Sequence, residues 1–203
     1  MVRALDDAQP PADTVSLEHF NGLYEAKDDP WDVAVSWHNQ RKYAVTVASL
    51  PRERYRRCYE PGASIGLLTR LLAARCDEVL AVDSVPAAVA QARETVKDLP
   101  HVRVECANLP AELPSSVFDL IVVGDLLYYF SAADLAAALD GFVQLLEPDG
   151  DLVSVHFRDR GNGGNYDGFQ VSAALSAVEG LTRVVRHEDE WFVLDVFRRT
   201  VPV

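Results

Sequence analysis

The sequence predicts an α/β fold in three layers, with a mostly parallel sheet, helices on both of its faces and an antiparallel hairpin at the C-terminal end. Two observations predict it. Short strand-like runs alternate with runs of helical length through residues 56–179, which is typical of parallel strands joined by helical crossovers. The last two strand-like runs, at 181–189 and 191–199, are separated by little more than charged residues, as in a hairpin.

The predicted elements follow in order along the chain. Ser16 can cap a first helix, in which Leu17 and Phe20 recur at helical spacing, and a second helix over 40–50 stops at Pro51. Strands are then expected at 56–60, 78–83, 102–107, 118–125, 150–157, 181–189 and 191–199. Helices are expected between them at 65–76, 86–99, 131–147 and 168–179.

The chain divides into three segments on this basis. Residues 1–15 contain Pro10, Pro11 and several acids, so we expect a disordered tail there. Residues 16–51 should form an N-terminal helical segment, and residues 52–203 should form the main ligand-binding domain.

Composition and charge exclude several classes of partner. The 203 residues are 49% hydrophobic and 25% charged, which is ordinary for one globular domain with a short extension. Lys and Arg total 19 against 31 Asp and Glu, and a net charge of −12 is poorly suited to nucleic acid. No apolar run approaches the roughly 20 residues that span a bilayer, and the first residues do not resemble a signal peptide. We therefore expect a cytoplasmic protein without nucleic-acid or membrane partners.

Neither the cysteines nor the histidines indicate a metal or disulfide site. Cys58, Cys76 and Cys106 are odd in number and lack C-x-x-C spacing, so we expect three buried free thiols. The five histidines are scattered along the chain, so no metal is expected.

The stretch "EPGASIG", residues 60–66, predicts a ligand-binding turn between a strand and a helix. It lacks the middle glycine of G-x-G-x-x-G, and no lysine follows Gly66 as a phosphate loop would require. Glu60, two positions before Gly62, would also repel a pyrophosphate at the helix N-terminus. The turn therefore favours a ligand with positive charge rather than a dinucleotide.

Asp83 adds a second acidic position, 17 residues after Gly66, where a βαβ unit places the acid that binds ribose hydroxyls. S-adenosylmethionine combines an ammonium, a sulfonium and an adenosine without any phosphate. Glu60 and Asp83 taken singly are equally consistent with solvated strand ends. Their combination with the glycine turn favours S-adenosylmethionine as cofactor and S-adenosylhomocysteine as product.

Several motifs resemble a known family. "EPGASIG", "AVDSV", "ANLP" and "FDLIVVGDLLYYF" are similar, in order and spacing, to class I S-adenosylmethionine-dependent methyltransferases with their Rossmann-like sheet. More narrowly, "DPWD" ahead of "QRKY", together with the "LLYY" run and the final hairpin, resembles the nodulation N-methyltransferases of the NodS family. The likeness covers roughly residues 20–199.

The resemblance implies roles for individual residues. It assigns the cofactor's methionine part to Glu60, Gly62, Ser64 and Gly66, its ribose to Asp83 and Ser84, and its adenine to Asn108 and Leu109, with Asp125 and Leu126 between cofactor and acceptor. It also implies that the N-terminal helical segment folds over the cofactor as a lid. In that segment Trp31 either packs or contacts the ligand, and Arg41 either pairs with the cofactor's carboxylate or is solvated. The turn departs from the family pattern at Pro61 and Ala63.

Methyl transfer from a sulfonium is an in-line displacement, so the protein mainly positions the reactants. An amine acceptor must be neutral to attack, and a nearby base would help. His156 is the first candidate base because it lies at the carboxyl edge of the predicted sheet, although a histidine bonded to loop backbone is an equal alternative. Asp125 and Tyr129 are the other catalytic candidates. The loop at 158–168, with its Asn, Tyr and Asp, is expected either to contact a polyhydroxyl acceptor or to be disordered.

Three functions therefore compete. The first is N-methylation of an amino sugar, an oligosaccharide or a small amine. The second is O-methylation of a small metabolite, because a fold and a cofactor do not determine the acceptor. The third is a catalytically silent nucleoside-binding domain. The oligomeric state is not predicted.

Overall fold

The computed structural model describes residues 13–160 and 163–200. Within them, one sheet contains β1 (Tyr55–Pro61), β2 (Cys76–Asp83), β3 (Val102–Cys106), β4 (Phe118–Gly124), β5 (Leu146–Phe157), β6 (Leu181–Glu188) and β7 (Phe192–Arg199). The helices are α1 (Leu17–Ala26), α2 (Trp37–Ala48), α3 (Leu67–Ala73), α4 (Pro86–Thr95), α5 (Ala132–Leu145) and α6 (Gly168–Ser176). A short 3-10 turn, Leu127–Tyr129, follows β4.

The strand order is β3-β2-β1-β4-β5-β7-β6. Neighbouring strands from β3 to β5 pair in parallel, whereas β7 is antiparallel to both β5 and β6. The predicted fold class, a mostly parallel sheet with a C-terminal antiparallel hairpin, is confirmed. The direction of winding changes between β1 and β4, and open α/β sheets bind ligands at the carboxyl ends of the strands at such a point.

Alternating side chains of β4 show how the two faces of the sheet are covered. Leu120 and Val122 belong to the core that α2 and α3 complete, while Ile121 and Val123 belong to the core that α5 and α6 complete. This alternation is the two-residue period of a strand, and both sets are apolar because both faces are buried. Helix α4 packs in a smaller cluster against β2 and β3.

The polar start of β1 has specific partners at the amino end of the sheet. The backbone N–H groups of Arg56 and Arg57 donate to the Asp119 carboxylate at 3.0 and 2.8 Å, and both guanidinium groups pair with Glu147. Pairing of β1 with β4 begins only at Cys58. The two arginines therefore lie at the rim of the sheet, while the rest of the strand is buried.

Residues 13–15, the part of the predicted 1–15 tail that the structure describes, hydrogen-bond to the domain. The Val15 N–H donates to the Tyr129 carbonyl at 2.9 Å. The Thr14 hydroxyl donates to Asp134 and accepts from the Ser131 N–H. Residues 1–12 lie outside the described residues.

The expectation of three buried cysteines is correct for Cys58 and Cys76 and wrong for Cys106, which is exposed near the end of the edge strand β3. Among the described residues, no three or more His, Cys, Asp or Glu side chains are grouped to hold a metal ion. None of the helices in the same residues is both long and apolar enough to cross a membrane.

Candidate active site

A cavity of about 480 Å³ opens at the carboxyl ends of β1, β2, β4 and β5. Its wall includes Trp31, Gly62, Ser64, Asp83, Ser84, Asn108, Leu109, Asp125, Leu126 and Tyr129, all of which the sequence predicts for the site. Four other predicted residues do not line it: Arg41, Glu60, Gly66 and His156. The ten predicted residues that line the cavity come from separate strands and loops. The structure therefore supports one binding site formed by these ten residues.

The charge of the wall is one-sided. Its side chains include four carboxylates, Asp83, Asp125, Asp159 and Glu190, and no lysine or arginine among the described residues that form it. Such a wall favours a cationic ligand over a phosphorylated one, because a pyrophosphate would find carboxylates and no cation. The sequence of the glycine turn argues against a dinucleotide ligand, and the charge of the cavity leads to the same conclusion.

Asp83 ends β2 directly beside the glycine turn. Its Oδ2 accepts from the Ser64 N–H at 2.8 Å and its Oδ1 accepts from the Val85 N–H at 3.0 Å. Burial raises the pKa of this carboxyl above its ordinary value, while the two backbone hydrogen bonds lower it. Each oxygen keeps a lone pair beyond these bonds, so Asp83 can still accept hydrogen bonds from ligand hydroxyls.

The turn needs its glycines at two points. Gly62 has a φ of +78°, and a Cβ added there would lie 3.2 Å from the Leu126 Cβ on the opposite side of the turn. Gly66 has a φ of +81° and begins α3 so close to α4 that a Cβ would lie 3.0 Å from the Ala92 Cα. Both residues take a left-handed conformation that glycine adopts without steric cost. Gly66 thus affects the site indirectly, because it allows α3 to pack closely against α4, and it does not line the cavity itself.

Glu60 lies at the end of β1 beneath the turn and is 2% exposed. Its Oε2 has no hydrogen-bond partner among the described residues. Burial raises the pKa of its carboxyl to about 8. A buried carboxylate without a partner is costly, so a cation bound near the turn would stabilise its charged form.

Glu60→Gln is expected to stabilise the ligand-free protein increasingly as the pH rises. Well below its ordinary pKa of 4.5, Glu60 is neutral in both states. As the pH rises towards about 8, the unfolded chain releases this proton while the folded chain keeps it, so the wild type loses stability by about 1 kcal/mol per pH unit. Thermal unfolding at about pH 5 and about pH 8 should show the gap between variant and wild type widening.

The exposed Glu78 of β2 provides a matched control for that measurement. Glu78→Gln should give the same small difference at both pH values, because an exposed carboxyl is stabilised by water in either state. A Glu60→Gln gap that stays constant with pH would mean that Glu60 is ionised in the folded protein.

Asp125 follows β4 in a left-handed conformation, with a φ of +50°. Its Oδ1 accepts from the Phe157 N–H at 3.1 Å, and its Oδ2 forms an ion pair with the Lys42 ammonium. The Lys42 side chain is fully buried, with Nζ 3.7 Å from the centre of the Phe157 ring. Burial lowers the pKa of Lys42, whereas the charge of Asp125 raises it. The pair joins the N-terminal segment to the central strands at the cavity.

From the sequence, Lys42, like Arg41, either pairs with the cofactor's carboxylate or is solvated, whereas the structure buries it against Asp125. A signal for its burial was present, since Asn39, Lys42 and Thr46 share one face of α2 and all three are buried. Polar residues at the spacing of a buried face indicate specific polar partners. Arg41, on the neighbouring face, instead pairs with Asp189 in the β6–β7 turn and does not reach the cavity wall.

His156 does not have the geometry of a base at this cavity. Its side chain is 1% exposed, Nε2 accepts from the Leu127 N–H at 3.1 Å, and Nδ1 lies 3.1 Å from the Ser154 hydroxyl. Burial lowers the pKa of the imidazole to about 4. Both nitrogens are occupied, so this position matches the alternative of a histidine bonded to loop backbone.

Aromatic side chains form another part of the cavity wall. Phe20 contacts Tyr129 with ring centres 5.0 Å apart, and Tyr24 contacts Trp31 at 5.4 Å. Burial raises the pKa of Tyr129 to about 12, so its hydroxyl stays protonated at neutral pH. The Tyr24 hydroxyl lies 2.7 Å from the Ser64 hydroxyl, which ties α1 to the glycine turn.

Polar residues of the loop at 158–168 have structural partners. The Asn165 side-chain amide donates to the carbonyls of Asp13 and Phe130 at 2.9 and 3.0 Å. The Asp167 carboxylate caps α6 and accepts from the Gln170 N–H. Neither residue reaches the cavity wall. The expectation that they bind the acceptor is therefore not supported. Of the loop residues that the structure describes, Asp159 lines the cavity.

The strand order, the glycine turn beside Asp83 and the acidic cavity define a class I S-adenosylmethionine-dependent methyltransferase. A family model described as Nodulation protein S (NodS) matches residues 22–163. The chain therefore belongs to the NodS family.

Individual relatives agree with this assignment. Nodulation protein S from Sinorhizobium fredii is 30% identical over 146 residues, which are 70% of this chain and 68% of that protein. The solved structure of N-methyltransferase NodS from Bradyrhizobium japonicum WM9, in complex with S-adenosyl-L-homocysteine, is 27% identical with a TM-score of 0.80, over 89% of this chain and 97% of that one.

A solved Pseudomonas syringae structure described as that of a methyltransferase is 40% identical with a TM-score of 0.72, over 81% of this chain and 100% of that one. Matches to three Nodulation protein S sequences span 57% to 68% of their lengths. The chain thus spans about two thirds, or somewhat less, of these curated relatives.

The residues present fit S-adenosylmethionine. The Asp83 lone pairs suit ribose hydroxyls, and the unpartnered Glu60 carboxylate near the turn suits a cationic group. Gly62 lines the cavity, and a side chain there would press on Leu126 of the same wall, so glycine keeps this part of the wall in place.

Proposed function

We propose that the chain is an N-methyltransferase that methylates an amine, either a small amine or the amino group of a sugar or oligosaccharide. The carrying observation is the wall with four carboxylates and no lysine or arginine among its described residues. An amine arrives at neutral pH as a cation, and such a wall attracts it. The relative described as N-methyltransferase NodS supports nitrogen as the methylated atom.

When bound, S-adenosylmethionine supplies a methyl group on a sulfonium, whose sulfur departs readily as a neutral thioether. We assign its ribose to Asp83 and Ser84, its adenine to Asn108 and Leu109, and its methionine part to the glycine turn. Glu60, buried beneath that turn, would act on the methionine part through its charge and not by direct contact with the cavity. The protein's part is then positioning and the exclusion of water. The aromatic wall of Phe20, Trp31 and Tyr129 provides the apolar surface for both.

Asp125 is the residue that we assign to the acceptor amine. Its carboxylate lines the cavity, and its two anchors, the Phe157 N–H and Lys42, hold it in one orientation. The bound ammonium first releases one proton to solvent, which leaves a neutral amine with a free lone pair. The Asp125 carboxylate then accepts a hydrogen bond from the amine N–H and directs the nitrogen lone pair away from itself, towards the methyl group. The Tyr129 hydroxyl, protonated at neutral pH, orients the acceptor and does not remove its proton. We assign His156 to the support of the turn that carries Leu127.

The segment 16–51 acts in this proposal as a lid. Trp31, Asn39 and Tyr43 of this segment line the cavity, and the Tyr24–Ser64 and Lys42–Asp125 contacts fasten it to both sides of the site. Closure of a segment over the carboxyl edge of a sheet excludes water from the reaction.

A cytoplasmic location stays a prediction.

Asp83→Ala is expected to weaken S-adenosylmethionine binding by about tenfold or more, because it removes charge-assisted hydrogen bonds to the ribose. Calorimetric titration measures this directly. Asp77→Ala, which removes an exposed carboxylate of the same strand, is the control. Unchanged affinity in Asp83→Ala would remove Asp83 from the binding site.

Paired acceptors test the proposed function. Amino sugars and small amines are each offered with the matching hydroxyl compound, and the products are analysed by mass spectrometry. We expect methylation of the amine members only. Methylation of the hydroxyl members would identify an O-methyltransferase, and cofactor binding without transfer to any acceptor would favour a silent nucleoside-binding domain.

A further inference from the structure

We propose that the β6–β7 turn forms a subsite at the cavity mouth that binds a second ammonium group of the acceptor, remote from the nitrogen that is methylated. The subsite consists of Trp191, Glu190 and Asp159, and it selects acceptors with two positive charges. This inference rests on the proposed N-methyltransferase function. The family match ends at residue 163, before the turn that carries Trp191 and Glu190, so these two residues belong to a part of the chain that the match does not cover.

The three residues are brought together by the backbone. Glu190 and Trp191 are adjacent in the turn, and the Arg158 N–H donates to the Trp191 carbonyl at 2.9 Å, which places Asp159 beside them. All three line the cavity. Trp191 is 43% exposed, so much of its indole remains available to a ligand.

The turn is held in one conformation by Asp189. Its Oδ1 accepts from the backbone N–H groups of Trp191 and Phe192 at 2.8 and 3.1 Å, and its carboxylate also pairs with Arg41 of α2. The His38 ring packs against the Trp191 indole with centres 3.8 Å apart. The indole is therefore fixed at the mouth before any ligand binds, which lowers the entropic cost of binding.

The charges at the mouth are not balanced by the protein. Among the described residues, neither Asp159 nor Glu190 lies within ion-pair distance of a lysine or arginine. Two nearby arginines are engaged elsewhere, and the exposed Arg160, next to Asp159 in the chain, forms no ion pair with it. Arg41 pairs with Asp189, and Arg158 donates to the Asp189 carbonyl. Two carboxylates beside an exposed indole are a strong site for an ammonium, which gains both charge-assisted hydrogen bonds and a cation–π contact.

The proposed reaction assigns a role to only two of the four carboxylates in the cavity wall. Asp83 serves the ribose and Asp125 serves the reacting amine in the proposed function, which leaves Asp159 and Glu190 unassigned. A second ammonium on the acceptor accounts for both. Aliphatic diamines and sugars with two amino groups share this chemistry, and they differ in whether a ring connects the two nitrogens.

Steady-state kinetics with matched acceptors test the subsite. An aliphatic monoamine is compared with a diamine of the same chain length, and a mono-amino sugar with a diamino sugar of the same ring size. We expect the KM of at least one dicationic member to be about tenfold lower than that of its monocationic partner. The pair that shows the difference identifies the class of the acceptor.

The double variant Asp159→Asn/Glu190→Gln should reduce this preference to about one, mainly through a higher KM for the dicationic acceptor. Glu188→Gln, which removes an exposed carboxylate of the same hairpin, should retain the preference. Titration of the dicationic acceptor into the complex with S-adenosylhomocysteine should show the same loss of affinity in the double variant.

The outcomes separate the two proposals. Equal KM values for the members of both pairs, or a preference that survives in the double variant, would overturn the subsite while leaving N-methylation intact. Failure to methylate any amine, despite cofactor binding, would overturn the proposed function and the subsite with it.

Discussion

Asp125→Asn is expected to lower kcat by about 10²–10³-fold, the usual scale for removing one positioned polar contact to the reacting group. Asparagine keeps the size of the side chain, tolerates a positive φ and still offers an oxygen to the Phe157 N–H. The variant therefore removes the charge that faces the acceptor amine and little else at that position. Single-turnover methyl transfer to an amine acceptor measures the effect.

The variant also leaves the Lys42 ammonium buried without its partner, which costs about 3–5 kcal/mol in comparable cases. The double variant Asp125→Asn/Lys42→Met removes both charges and places an apolar side chain of similar length beside Phe157. We expect it to regain stability in thermal unfolding and to remain as slow as Asp125→Asn. Recovery of activity in the double variant would show that Asp125 matters only as the partner of Lys42.

Gly66→Val is expected to destabilise the fold by more than about 3 kcal/mol and to abolish measurable cofactor binding. A valine there combines a left-handed backbone with a contact of 3.0 Å to the Ala92 backbone, which cannot move without shifting α4. Denaturant unfolding and calorimetric titration measure the two effects.

Gly180→Val is the matched control, because Gly180 has a φ of +82° but its added Cβ would meet only the Thr200 carbonyl at 3.7 Å. It should show the backbone cost alone, about 1–2 kcal/mol, with cofactor binding unchanged. If the two variants lost equal stability and both bound S-adenosylmethionine normally, the close approach of α3 to α4 would have no role in the site.

The fold could be predicted because its signal is local and repeated. Each strand is a short apolar run, each helix follows with a turn between them, and such alternation leaves few topologies other than a parallel sheet. The residues of the turn and of Asp83 could be predicted for the same reason, since parallel strands end at one edge. Boundaries were less accurate: β2 begins at Cys76 and α3 ends at Ala73, where the sequence predicted a helix through Cys76.

The remaining site residues depend on contacts between distant parts of the chain. Lys42 meets Asp125, and Arg41 meets Asp189, across separations that no local pattern encodes. His156 was correctly placed near the carboxyl edge of a strand, but position along a strand does not tell which neighbours its ring meets. The Leu127 N–H and the Ser154 hydroxyl occupy it.

Calorimetric titration of S-adenosylmethionine and NAD into the wild-type protein tests the central claim, a cavity of carboxylates suited to a cationic nucleoside. The cavity predicts binding of S-adenosylmethionine with a dissociation constant of about micromolar or tighter and at least about a hundredfold weaker binding of NAD. The pyrophosphate of NAD would lie near Asp83, in a wall whose described residues include no lysine or arginine. Equal affinity for the two ligands, or binding of NAD alone, would contradict it.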